Sequence, residues 1–419
     1  MTSEYSGKDK ASTEKNAKPW LSIVGIGEDG LEGLGKNARR AIEAAEVVFG
    51  GKRHLELAAA AIRGKACPWP VPFDVGMSDV VALRGRRICV LASGDPFLHG
   101  VGVTLLRRIA AEETMCYPSP SAFSLAAARL GWALQSVDCV SLHGRSIDLM
   151  RPHLHPGARI IALTSDERAP ILIAELLVSC GFGDSSFILL EALGGERERR
   201  RQVKAADFSF ADIDPLNVVA MDVVADEGAR VLSFAPGLDD GLFEHDGQIT
   251  KREIRAVTLS SLSPRRGELL WDIGAGSGSI GIEWMLSHPS LRAVAIEQHP
   301  ERAERIARNA ETFGVPGLEV MIGTAPAAFE GLPRPDAIFI GGGGSEAGVL
   351  AGAMEALKPG GRLIANAVTL EMETLLLATH ARLGGSLIRL EVSRAAAVGS
   401  MSGWRPAMPV TQWRWVKPW

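Results

Sequence analysis

Basic residues are not in excess in this 419-residue chain: 45 Lys and Arg stand against 49 Asp and Glu, a formal net charge of −4. No global positive field therefore gathers nucleic acid or anionic lipid. No apolar run approaches the ~18–20 residues that span a bilayer, and the opening MTSEYSGKDKASTEKNAK lacks the apolar stretch of a secretory leader. Cysteine is scarce. Cys67, Cys89, Cys116, Cys139 and Cys180 are odd in number, scattered and never in a CxxC or Cys/His spacing, which argues against a disulfide framework or zinc and fits a reducing cytoplasm. What is present is ordinary for a packed fold: 46% hydrophobic and 22% charged residues, in a chain too long for one core. These observations predict a cytoplasmic protein with no membrane or nucleic-acid partner and no metal, carrying a polar tail over residues 1–18.

Strand, loop and helix patterns alternate from LSIVGIGEDG onward: RRICVLASGDP before GVGVTLLRRIAAEE, ARIIALTSDE before APILIAELLVSCGF, then SSFILLEALGG and LNVVAMDVVA. Such alternation predicts an α/β domain with a largely parallel sheet. The pattern lapses over residues 226–246, rich in Gly, Asp and Pro, and the domain boundary is placed there. It restarts with ITKREIRAVTLSSL, a helix opened by Thr250, and runs to a closing PVTQWRWV as a second α/β unit of about seven strands. The halves share no motif or spacing, so an internal duplication is rejected. The expected division is a domain at 19–230, a linker at 231–245 and a second domain at 246–419.

In the second half, WDIGAGSGSIGIEW sets Asp272 at a strand end and glycines at 274, 276, 278 and 281 in the turn that opens a helix, where a ligand can approach the backbone closely. A dinucleotide fingerprint would need Gly at the position of Ser279, so NAD is the weaker reading. The next strand, RAVAIE, ends in Glu297, suitably placed to accept hydrogen bonds from a ribose diol. This half resembles the class I fold of S-adenosylmethionine-dependent methyltransferases. The resemblance implies cofactor contacts at Thr250, Asp272, Gly274, Ala275, Gly276, Ser277, Gly278, Glu297, Thr324 and Ala325, with the GTAP loop against the adenine. After the strand DAIFI stands GGGG (Gly341, Gly342, Gly343, Gly344) instead of the Asn/Asp-Pro-Pro-aromatic segment of amine methylases. Amine methylation is disfavoured, and Gly341–Gly343 become candidates to face a flat substrate with bare backbone.

VGIGEDG in the first half is literally GxGxxG (Gly25, Gly27, Gly30), with Glu46 further on. Glu28 and Asp29 would repel a pyrophosphate there, so the match is read as a decoy. LASGDPFLHGVG, followed by YPSPSAFSLAAARLGWALQ and SLHGR, resembles the tetrapyrrole methylases, two-lobed class III methyltransferases. By position that resemblance implies cofactor contacts at Gly94, Asp95, Leu98, Ser121, Ala122, Thr164 and Leu193. The opening loop departs from the family's usual GxGPG, and the Glu28–Asp29 loop is assigned to the substrate side.

Two unrelated methyltransferase folds on one chain imply two methyl transfers to one substrate. Their order, and the joining segment PGLDDGLFEHDGQITKREIRA, resemble the decarboxylating precorrin-6B (6Y) C5,15-methyltransferases of cobalamin biosynthesis. The resemblance implies one S-adenosylmethionine per domain, carbon 5 methylation in the first domain, and carbon 15 methylation with decarboxylation of the ring C acetate in the second. The partner is then a small-molecule tetrapyrrole, and a homo-oligomer is expected. Positioning could supply most of the rate, with no metal and no covalent intermediate. Arg252, Arg255, Arg265 and Arg266 are candidates for the substrate's carboxylates. ERERRR (residues 196–201) reads as a solvated loop, and Trp404, Trp413, Trp415 and Trp419 as edge packing. The alternatives are an RNA or other macromolecular methyltransferase, which predicts a basic stripe this composition does not show, and a cofactor-binding scaffold without turnover.

Overall fold

The computed structural model describes residues 19–70 and 73–419; the tail expected at 1–18 lies outside the described residues. Two compact units divide the chain: the described part of Met1–Gly144 with Arg159–Glu175 and Asp184–Asp222, and Arg145–Ala158 with Leu176–Gly183 and Val223–Trp419.

Two sheets form the first unit. Strands β1 (Leu21–Ile26), β2 (Val47–Gly50), β3 (Lys65–Pro68), β4 (Ile88–Ser93) and β5 (Thr114–Tyr117) line up as β3-β2-β4-β1-β5, every pair parallel. Both faces are covered, as parallel sheets require. Leu21, Ile23 and Val90 enter one core, while Val24, Ile26 and Leu91 enter the other. β6 (Asp138–Ser141), β7 (Arg159–Leu163), β8 (Ser186–Glu191), β9 (Arg199–Lys204) and β10 (Asn217–Asp222) form the second sheet, in the order β6-β7-β10-β8-β9. Only its β6–β7 pair is parallel, so the largely parallel expectation holds for one lobe alone. The short return from β8 to β9 permits only antiparallel pairing. ERERRR is no solvated loop: β9 begins inside it, and Arg199 and Arg201 both pair with the buried carboxylate of Glu191 at 2.7 and 2.9 Å.

The second unit holds β11 (Leu269–Ile273), β12 (Arg292–Glu297), β13 (Glu319–Ile322), β14 (Ala337–Ile340), β15 (Arg362–Ala367), β16 (Ser386–Leu390) and β19 (Val410–Val416), in the order β13-β12-β11-β14-β15-β19-β16, plus a separate hairpin of β17 (Ser393–Val398) and β18 (Met401–Pro406). Alternation again sorts the faces: Leu270, Ala295 and Phe339 join one core, Trp271, Ile296 and Ile338 the other. The order reverses between β11 and β14, the place where open α/β sheets leave a crevice. Trp413 is fully buried on β19 between two strands, not at an edge, whereas Trp404 is exposed. Leu232, Leu238 and Phe243 are buried in this unit's core, so the stretch expected to be a linker is structural. The helix Arg252–Leu262 opens at Lys251 without a side-chain cap, not at Thr250. No helix among the described residues is long and apolar enough to cross a membrane.

Candidate active site

A cavity of about 460 Å³ opens in the second unit at the carboxyl ends of β11, β12 and β14. Its floor is the turn after β11, where Gly274, Gly276 and Gly278 all take positive φ. A Cβ at Gly274 would stand 2.5 Å from the Gly342 carbonyl oxygen; the glycine turn and the GGGG loop meet backbone to backbone across the switch point. Gly274, Ala275, Gly276, Glu297, Thr324, Ala325, Thr250 and Gly341–Gly343 all line the cavity. Sequence positions almost a hundred residues apart thus line one cavity.

Glu297 is buried at the end of β12. Its Oε2 accepts the Gly276 N–H at 2.9 Å and its Oε1 the His299 N–H at 3.0 Å. A carboxylate has about four acceptor sites, so each oxygen keeps capacity toward the cavity. Asp272 shares the sheet face of Leu270 and points beneath the turn, outside the cavity lining. Its Oδ2 accepts the Gly281 N–H at 3.0 Å, while Oδ1 has no partner. Burial pushes its carboxyl up to about 7, and the Glu297 charge adds to the rise against the opposing Gly281 hydrogen bond. Ser277 and Gly278 face the helix Pro300–Thr312: the Ser277 carbonyl accepts from Asn309, and Gly278 sits against Ile306.

Arg255 corrects a substrate-binding expectation. It is fully buried and held by Glu283 at 2.6 Å, Asp240 at 3.0 Å and the carbonyls of Leu238 and Thr250, so it clamps the segment before the first helix and cannot reach a ligand. Arg252 is exposed, and it, Arg265 and Arg266 lie outside the lining. The charged residues that do line the cavity besides Glu297 are Lys251, Glu253, Arg302, Glu346 and Arg394. No spacing rule in the sequence singles them out, because Arg394 arrives from the late hairpin and Arg302 from the helix Pro300–Thr312. Arg302 and Arg305 hold the Asp246 carboxyl well below its usual range.

In the first unit the loops after β1, β4 and β5 close on one another. A Cβ at Gly25 would lie 1.8 Å from the Gly94 oxygen, the Ser119 hydroxyl donates to the Gly25 carbonyl at 2.8 Å, and the Ser119 N–H to that of Gly94 at 3.1 Å. Gly94 takes positive φ against Pro120 and Ser121. Asp95 turns its loop by accepting the Phe97 N–H at 2.9 Å, leaving Leu98 exposed. Ser121 caps the helix Ala122–Leu130 through the Ser124 N–H, and Ala122 packs in one cluster with Leu193. Thr164 is buried, its hydroxyl directed at Asn217 oxygens 2.6 and 2.7 Å away. The structure thus brings Gly94, Asp95, Ser121 and Ala122 together, and commits Thr164 to holding β10. Glu28 of the opening loop pairs with Arg53. Glu46, the acidic residue of the apparent dinucleotide fingerprint, stands before β2 and pairs with Arg86 at 3.0 Å, at the strand end opposite the glycines, which removes that reading.

Both folds have counterparts among known proteins. Residues 21–209 match the tetrapyrrole (corrin/porphyrin) methylase family and residues 241–417 a precorrin methyltransferase domain. A precorrin-6Y C(5,15)-methyltransferase [decarboxylating] of a Sinorhizobium species is 63% identical over 399 residues, 95% of this chain and 97% of that protein. A cobalt-precorrin-6B C(15)-methyltransferase (decarboxylating) of Salmonella typhimurium is 34% identical over 166 residues, 39% of this chain and 85% of its own. Among solved structures, the C-terminal domain of the precorrin-6Y C5,15-methyltransferase from Rhodobacter capsulatus is 49% identical, covers 44% of this chain and all of its own, and has a TM-score of 0.43. With near-complete coverage at this identity, the chain belongs to the family of decarboxylating precorrin-6Y C(5,15)-methyltransferases.

Proposed function

We propose that the protein methylates carbons 5 and 15 of a precorrin and decarboxylates its ring C acetate, with one S-adenosylmethionine in each domain. Carbon 5 is assigned to residues 19–230, carbon 15 and decarboxylation to residues 246–419. The observation that carries the reading is the convergence of Gly274–Gly276, Glu297 and Thr324–Ala325 on one cavity. A relative named for carbon 15 and decarboxylation alone matches 166 residues, a length one domain can hold, which supports the division of labour.

The donor set fits the cofactor. At about 460 Å³ the cavity has the size of a small-molecule site, glycine leaves the floor open to close approach, and Glu297 offers unfilled acceptor sites to a ribose diol. When bound, S-adenosylmethionine supplies a methyl group already activated by its sulfonium. The chain's own part is orientation. Glu297 and the glycine turn hold one end, and Gly341–Gly343 present bare backbone along which a flat macrocycle can lie with its carbon in line. A reduced tetrapyrrole is itself the carbon nucleophile and the electron sink for decarboxylation, so holding the two reactants in register can lower the barrier substantially. The test is mass spectrometry of precorrin-6B incubated with the enzyme and S-adenosylmethionine: two methyl additions and one loss of carbon dioxide are expected, and any other stoichiometry refutes the reading.

A further inference from the structure

Precorrins carry several acetate and propionate side chains, so a site for them needs cations at its rim. The arginines expected in that role are buried or turned elsewhere, and the hairpin of β17 and β18 supplies others. Arg394, near the start of β17, lines the cavity, and its guanidinium is paired with Glu253 in the first turn of the helix Arg252–Leu262. Both side chains are about half exposed. An ion pair so open to water is weak and is exchanged readily for a better-fitting carboxylate. Directly across the hairpin, Arg394 is in register with Arg405, which is exposed. Like charges placed opposite one another disfavour the pairing of their strands, and a fold keeps such a pair most easily where an anion relieves it. Glu253 offsets only one of these two charges; Lys251, two residues before it, also lines the cavity wall but has Asp240 as its partner at 3.8 Å.

We infer that Arg394, supported by Arg405, is the subsite for a carboxylate side chain of the tetrapyrrole in the second domain, and that Glu253 is an internal stand-in which the substrate displaces. The fork of a guanidinium matches a carboxylate bidentately, so the exchange aligns one edge of the macrocycle as it loads and draws the hairpin toward it. The inference rests on the proposed function of this cavity and adds the group that reads the substrate's acid side chains.

The test uses the full-length enzyme with precorrin-6B, following carbon dioxide release, with S-adenosylhomocysteine affinity measured by calorimetry. Arg394→Ala is expected to raise KM at least fivefold with cofactor affinity within twofold of the parent, and Arg394→Lys, which keeps charge but loses the fork, to fall between them. Glu253→Gln removes the competitor and should leave KM at or below the parent value. A KM for Arg394→Ala within fivefold of the parent overturns the subsite. A Glu253→Gln variant whose KM rises more than threefold shows the pair to be a structural brace and overturns the exchange. Should Arg394→Ala fail to fold, the Lys variant decides by the same measure: an unchanged KM counts against the subsite. Failure of the broader functional reading is distinguishable, because the parent enzyme would then release no carbon dioxide at all.

Discussion

Each oxygen of the Glu297 carboxylate already accepts one backbone N–H, so this side chain both shapes the glycine turn and faces the cavity. Hydrogen bonds to a charged group contribute roughly 1.5–3 kcal/mol, and ~1.4 kcal/mol is a factor of ten in affinity. Glu297→Ala is therefore expected to weaken S-adenosylhomocysteine binding in the second domain about tenfold to several hundredfold by calorimetry. Glu297→Gln fares little better, because its NH2 must face either the Gly276 or the His299 N–H. Equal affinity for parent and Ala variant would remove Glu297 from the site. Asp272, the other acidic residue of the motif, makes a different prediction. Its carboxyl is raised from 3.8 to about 7 by burial, so the folded state binds a proton more tightly than the unfolded chain. The stability this lends is full below about 3.8 and is lost as pH rises through about 7. In thermal melts between pH 5 and 8.5, Asp272→Asn should show a flatter profile, its melting temperature gaining on the parent as pH increases; parallel profiles would refute the assignment. The sequence made Glu297 legible by its place at a strand end. It could not separate the roles of the two acids, because facing the cavity or facing a helix depends on strand parity and on what covers each sheet face. Arg255 was misleading for the same reason: nothing local distinguishes a solvated arginine from one enclosed by Glu283, Asp240 and two carbonyls.

At the scale of elements, the two glycine loops that meet at the switch point carry the geometry. Gly274 combines positive φ with a Cβ position 2.5 Å from the Gly342 oxygen, whereas Gly343 has positive φ but open space around it. Gly343→Ala meets only backbone strain of about 1–2 kcal/mol. Gly274→Ala meets that strain and a backbone collision, which must push the β11 and β14 loops apart. Calorimetric titration with S-adenosylhomocysteine should therefore find binding lost in Gly274→Ala and retained within a few-fold in Gly343→Ala. Similar losses in both would mean that loop strain, not the close approach, governs the site. The strands β11, β12 and β14 were legible because each is a short apolar run ending at glycine or an acid, and β15 because it follows the Pro-Gly-Gly turn before Arg362. The hairpin of β17 and β18 was not, since nearly all its residues are exposed and no alternation of apolar and polar residues marks a strand that buries neither face. The antiparallel second sheet of the first unit was hidden differently: apolar runs reveal strands but not their direction, which the returns between them decide.

Across the whole molecule, composition placed the boundary before the second unit's core only approximately. Gly, Asp and Pro make residues 226–246 look like a linker, yet Leu232, Leu238 and Phe243 are buried in the second core, the N–H groups of Gly237 and Leu238 donate to Glu283 at 2.6 and 3.0 Å, and the Arg230 guanidinium stacks over Phe313 at 4.7 Å. An irregular backbone can be as well held as a helix when buried carboxylates take its donors, and no periodicity announces that. A chain truncated to residues 236–419 keeps the Glu283 contacts but loses Leu232 and Arg230. Removing a buried leucine costs about 2–5 kcal/mol, so this chain should melt at least several degrees below one spanning 223–419. The longer piece is expected to bind S-adenosylhomocysteine, release carbon dioxide from the precorrin and methylate carbon 15, and to leave carbon 5 untouched. Conversely, Asp95→Ala in the full chain unmakes the turn closed by the Phe97 N–H and should abolish carbon 5 methylation while decarboxylation continues, because the second cavity takes none of its lining from that loop. Product masses separate the outcomes: one methyl addition with loss of carbon dioxide is expected from both proteins. A folded Asp95→Ala enzyme that loses both activities, or a 223–419 chain that still methylates carbon 5, would refute two independent sites on one chain.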